Sequence, residues 1–190
     1  MNAPRLTGGF ADPAEDSARA FRAILEAMAR PGMAQSVTGL APPGGLSPAA
    51  AAALLVLCDP TAPLYLAPSH DLPELRAWIT FQCGAPIVPA AEAAFALGAW
   101  DSLLPLEQFA QGTPEYPDRS ATLIVDGGPA CPARLTGPGI DGAREAALPD
   151  PEAMAANNAR FPLGVDFILA DGAALRAIPR STRIEVLACM

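Results

Sequence analysis

The 190-residue chain contains no lysine. All 12 basic residues are arginines, set against 20 acidic residues and a single histidine, for a formal charge of −8. The missing amine excludes several chemistries. A P-loop needs a lysine on the terminal phosphates, a pyridoxal phosphate enzyme needs one for its Schiff base, and class I aldolases and Ser-Lys hydrolases fail for the same reason. A bound phosphate would have to be met by arginine, backbone N–H groups or a metal. The acidic balance also argues against nucleic acid as a partner, because that needs a basic field to displace counterions.

Long apolar runs are missing too. The longest, AAAAALLVLC from Ala49 to Cys58, is shorter than a membrane span, and the start MNAPRLTGGF lacks a signal-peptide apolar region. A soluble, cytoplasmic protein is expected. Cysteines 58, 83, 131 and 189 are too scattered for a CxxC pair and read as thiols packed like small apolar side chains. One histidine and dispersed acids offer no spaced set of metal ligands, so no metal is expected.

Large side chains are scarce as well: 41 residues are alanine and only 6% are aromatic, which leaves the 22 leucines to form most of the core. A chain of this length still buries roughly 70% of its unfolded surface without disulfides, and one domain spanning 1–190 is expected. Asp12-Pro13 starts a helix with Phe21, Ile24, Leu25 and Met28 on its apolar face, ended by Pro31-Gly32. Met33–Leu40 reads as a strand, and Ser47-Pro48 opens an Ala-rich helix to about Cys58 that should be buried. A strand at 63–67 precedes a helix carrying Leu75, Trp78 and Ile79, with Asp71 near its N-cap. Strands follow at 86–88, 94–97, 120–127 and 131–137, with a short helix around 104–111. Residues 143–150 have room for only about two helical turns before Pro149. Asp150-Pro151 opens the last helix, which Pro162 limits, and the tail forms a hairpin about Asp171-Gly172 with a final strand after Pro179. The fold expected is α/β, a mixed sheet flanked by helices.

GPGIDG at 137–142 spells GxGxxG, but no helix of adequate length and no acid at a following strand end accompany it, so it reads as a turn. Ser69-His70-Asp71 holds the residue types of a hydrolase triad, yet consecutive side chains diverge and triads are assembled from distant positions. An exposed loop is expected there, with a stand-alone hydrolase using His70 as one alternative. Arg176, Arg180 and Arg183 place three positive charges within eight residues of an acidic chain. That cluster could seat a phosphate or a partner's carboxylate, or be solvated on strand faces.

FPLGVDFIL followed by IPRSTRIEV resembles the PhnH family, the H subunit of the carbon-phosphorus lyase system. FRAILEAMARPG at 21–32, CDPTAPLYL at 58–66, GAPIV at 84–88, SATLIV at 120–125 and RLTGPGI at 134–140 agree, in the family's order across nearly the whole chain. Ser181 departs from the pattern, where threonine is expected. The resemblance implies a fold related to type I pyridoxal-phosphate transferases without the cofactor, a homodimer, and assembly with G, I and J subunits. That assembly activates alkylphosphonates with a nucleoside triphosphate to ribose 1-phosphonate 5-triphosphate. This chain would be an accessory, non-catalytic subunit of that phosphonate ribosyl triphosphate synthase, or alternatively its arginine-lined substrate or nucleotide-binding component. No catalytic residue is implied. Arg180, matching the motif beside a proline corner, is the first candidate for contacting a partner or phosphate, with Arg134 and Thr136 second.

Overall fold

The computed structural model describes residues 6–128 and 130–187. Arg5, Cys189 and the first residues of the N-terminal segment read above lie outside them. No helix among the described residues is long and apolar enough to cross a membrane.

Helix α1 (Pro13–Ala29) begins as its sequence dictates, with the Asp12 carboxylate accepting the Glu15 N–H. Strand β1 (Gln35–Ser36) is only two residues long, far less than the expected strand at 33–40. Helix α2 (Pro48–Leu57) is capped by Ser47 and buries Ala49 to Leu54 without interruption. After β2 (Leu64–Leu66) comes α3 (Pro73–Gln82), which buries Leu75, Trp78 and Ile79. Leu72 occupies its N-cap, next to the expected Asp71, whose side chain forms an ion pair with Arg76 and does not cap the helix.

Strands β3 (Phe95–Gly98) and β4 (Thr122–Asp126) follow, joined by short 3-10 turns in place of the helix expected around 104–111. Strand β5 (Cys131–Thr136) pairs with β6 (Arg144–Leu148), so the Arg144 segment is a strand and not helical turns. Pairing with β5 overrides the helical preference of its alanines. Helix α4 (Pro151–Asn158) is capped by Asp150, and β7 (Asp166–Asp171), β8 (Ala174–Ile178) and β9 (Arg183–Val186) complete the chain.

These elements form two sheets. Six strands run in the order β1-β8-β7-β4-β3-β2, with β2, β3, β4 and β7 parallel and β8 antiparallel to both of its neighbours, β7 and β1. A smaller antiparallel sheet has the order β6-β5-β9. The mixed α/β class expected from sequence is therefore present, with the last strand diverted into a second sheet. The central strands are buried on both faces, which is why β4 reads as an unbroken apolar run. Ile124 and Ile168 pack with α1, α2 and α3 on one face; Leu123, Val125 and Phe167 pack with Leu135, Leu148 and Met154 on the other.

The connections change face between β2 and β3. From β2 the chain passes through α3 and returns at Ile87, which bridges Leu64 on the edge opposite β3. From β3 it reaches β4 through Trp100, Leu103 and Phe109, packed on the other face. In open α/β sheets such a reversal marks the carboxyl ends where ligands sit.

The GPGIDG segment is a turn, with Gly139 at φ +78°, and a Cβ there would lie 2.0 Å from the Ala29 carbonyl oxygen at the end of α1. The face of α1 differs from expectation. Ala20, Ile24 and Ala27 are buried, whereas Phe21 and Leu25 are 50% and 55% exposed. Small residues let α1 approach the alanine wall of α2 closely, so the helix turns its larger side chains outward. In urea unfolding of the isolated chain, Ile24→Ala should therefore cost about 2–5 kcal/mol. Leu25→Ala should cost less than about 0.5 kcal/mol. Equal losses would mean that Leu25 is buried in solution.

Candidate functional site

The carboxyl ends of β2, β3 and β4 carry a connected polar cluster. Past β2 the chain turns, with the His70 N–H donating to the Ala67 carbonyl at 2.8 Å, and this brings the His70 ring over the end of β4. Its Nε2 lies 3.1 Å from Oδ2 of Asp126, the last residue of that strand. Its Nδ1 lies 3.0 Å from the Ser69 hydroxyl, which also accepts the Ala99 N–H, just past β3, at 3.0 Å. The backbone N–H of Ser47 donates to the same Asp126 oxygen at 3.1 Å, while the Ser47 hydroxyl caps α2 by accepting the Ala50 N–H.

The His70 and Asp126 side chains are only 13% and 6% exposed, whereas Ser69 is exposed. Burial pushes the Asp126 carboxyl up, but hydrogen bonds from His70 and Ser47 outweigh it and hold the group below the ordinary carboxylate range. The sequence offered Ser69-His70-Asp71 as a set, and the structure replaces its third member. Asp71 faces Arg76, and the acid that meets His70 is 56 residues further on. The legible signal was an acid closing the apolar run TLIVD.

Arg180 is held within the chain. Its guanidinium meets Asp166 through Nη2 at 2.7 Å and Nε at 3.2 Å, and Nη1 donates to the Pro117 carbonyl at 2.6 Å. The Arg180 N–H adds a bond to Asp166 at 2.7 Å, and Asn158 donates to the Arg180 carbonyl at 2.8 Å. The two charged side chains are 16% and 13% exposed. Arg134 is exposed on β5, opposite Glu145 of β6 and Glu185 of β9. Thr136, half-buried, closes β5 opposite Arg183. Arg176 is half-buried on β8 and Arg183 exposed on β9, so the three arginines of the tail belong to a strand of each sheet and the corner between. The apolar cleft of about 280 Å³ between Pro105 and α4 carries Arg160 paired with Glu107 at its side.

Together these features define a mixed α/β chain of the lysine-free kind, with polar groups gathered at the strand ends and its best-held arginine turned inward. The sequence pattern of the bacterial phosphonate metabolism protein (PhnH) family matches residues 8–185, and the chain belongs to that family. It is 38% identical to the alpha-D-ribose 1-methylphosphonate 5-triphosphate synthase subunit PhnH of Rhizobium meliloti (strain 1021), over 94% of this chain and 95% of that one. It is also 32% identical to HtxG of Stutzerimonas stutzeri, a protein named as a candidate C-P lyase subunit, over 95% and 96% of the two chains.

Two outcomes follow from this geometry. Because the folded-state pKa of Asp126 is depressed, its stabilisation is complete above the ordinary carboxylate pKa, about 4, and is lost as pH falls through the folded value. The melting temperature of Asp126→Asn should thus fall less steeply with acid than that of the parent, and parallel acid limbs would contradict this. Removing Arg180 alone leaves Asp166 without its counter-ion, so Arg180→Ala should cost about 3 kcal/mol in urea. The double variant Arg180→Met with Asp166→Leu should recover much of that loss. Fluorescence of the buried Trp78 and Trp100 reports both unfolding curves.

Proposed function

We propose that this chain is an accessory subunit of the assembly that activates alkylphosphonates with a nucleoside triphosphate, giving ribose 1-phosphonate 5-triphosphate for carbon-phosphorus bond cleavage. One observation carries the reading: an identity of 38% running end to end through a relative that bears that subunit's name. In this reading the chain is a single unit over 1–190, related to type I pyridoxal-phosphate transferases in fold, and it works in the cytoplasm as a homodimer with G, I and J subunits. The total absence of lysine supports a cofactor-free version of that fold, since no side chain can form the internal aldimine.

The disposition of charge favours contact with a protein over contact with a triphosphate. Arg134 is flanked across the small sheet by Glu145 and Glu185, and a polyanion placed on it would meet two carboxylates at once. A partner surface of mixed sign would not. The exposed apolar pair Phe21 and Leu25 on α1 supports a covered face in the assembly. Arg180 serves the same assembly from inside, by shaping the corner from which β9 enters the small sheet.

Deletion of the chain should abolish growth on methylphosphonate as sole phosphorus source and leave growth on phosphate normal. In complementation with tagged variants, Arg134→Glu should keep the parent melting temperature and lose capture of the partner subunits, whereas Arg180→Ala should lower both. Growth of the deletion strain on methylphosphonate would remove the assignment. Full capture by a folded Arg134→Glu would move the contact elsewhere.

A further inference from the structure

We infer that Ser69, His70 and Asp126 form a directed proton relay that makes the Ser69 hydroxyl a nucleophile toward small neutral carboxylic esters. The direction follows from the hydrogen-bond inventory. The Asp126 carboxylate only accepts, so an imidazole carrying one ring proton donates it from Nε2 there and leaves Nδ1 as an acceptor. Ser69 already accepts the Ala99 N–H, which leaves its own hydrogen for Nδ1 at 3.0 Å. Each neighbour orients the next, the base between the acid and the hydroxyl, as in hydrolase triads with the two imidazole nitrogens exchanged. The base and the acid are nearly enclosed, and Ser69 is the exposed residue of the three.

Placement supports the same conclusion. The three residues come from the ends of β2 and β4, beside the end of β3, where the connections of the sheet change face. The charge around the hydroxyl selects the substrate class. Asp126 lies behind His70, Asp71 follows it, and the nearby guanidinium of Arg76 is held by Asp71. With Arg76, the cation closest to Ser69 along the chain, already paired with Asp71, a neutral electrophile is favoured over a phosphate.

The chemistry balances with water as co-reactant. The Ser69 oxygen bonds to the ester carbonyl carbon as its proton passes to His70 Nδ1; the carbon-oxygen bond to the alcohol breaks, and the departing alkoxide takes that proton. Water then attacks the acyl-serine with His70 again accepting the proton, and Ser69 recovers its hydrogen as the acid leaves.

The test uses the full-length chain and an alkyl fluorophosphonate, with peptide mapping of the modified serine. Exposed Ser36, whose hydroxyl makes no hydrogen bond among the described residues, is the internal reference. Ser69 should be modified well ahead of Ser36, and His70→Gln, with folding verified by melting temperature, should slow the modification by about 100-fold. Asp126→Asn should slow it in the same sense. p-Nitrophenyl acetate should be hydrolysed by the parent and not by Ser69→Ala, and p-nitrophenyl phosphate by neither. Modification of Ser69 no faster than Ser36, or unchanged in folded His70→Gln, would overturn the relay. Ser69-dependent cleavage of the phosphate in place of the acetate would overturn the substrate class.

Discussion

The pairing of Arg180 with Asp166 holds together the place where one sheet delivers the chain to the other. Asp166 opens the central strand β7, Arg180 lies between β8 and β9, and the third arm of the guanidinium reaches the Pro117 carbonyl in the approach to β4. Three distant segments therefore share one planar cation. Lysine, a single ammonium on a flexible stem, lacks the forked geometry for that task. Arg144 does something comparable, donating to the Arg30 and Pro31 carbonyls where α1 ends. In a chain without lysine, two of the 12 arginines thus work as internal cross-links.

The strand-end cluster is built on the opposite economy. Asp126 there receives hydrogen bonds from a side chain following β2 and from the backbone at the start of α2, so the carboxylate organises a helix terminus and an imidazole together. A buried acid in this position is tolerable only because it is so well supplied with donors. The charge balance is local: Asp166 faces a permanent cation, whereas Asp126 faces a group whose charge depends on its protons. The first is suited to holding shape, the second to exchanging protons.

Local chemistry made the helices legible. Asp12, Ser47 and Asp150 each precede proline and each caps a helix, because capping depends on residues a few positions apart. The two-sided burial of β4 and β7 was likewise written in their apolar runs. Phe21 and Leu25 misled because helical period fixes which residues share a stripe and not which stripe faces the core; the alanines of α2 decided that. The Arg144 strand and the diversion of β9 depend on pairing with β5, information held in no single segment. Of the site candidates, Arg180 was singled out for its corner, and its partner Asp166 went unnoticed fourteen residues before it. His70 was recognised as the only histidine and Asp126 closes a legible apolar run, but that the two meet followed only once the sheet brought β2 and β4 into order.

Strand order also bears on how the protein is made. β7 lies between β4 and β8, and β1 near the start of the chain is hydrogen-bonded to β8, near its end. A ribosome that has not yet reached Asp166 therefore carries a sheet ending at β4, with Leu123, Ile124 and Val125 on an unpaired edge. Unpaired apolar edges recruit other strands. Prematurely terminated copies would thus be sticky fragments for the cell's quality control and not smaller working versions of the protein, since the last quarter of the chain supplies the middle of the sheet.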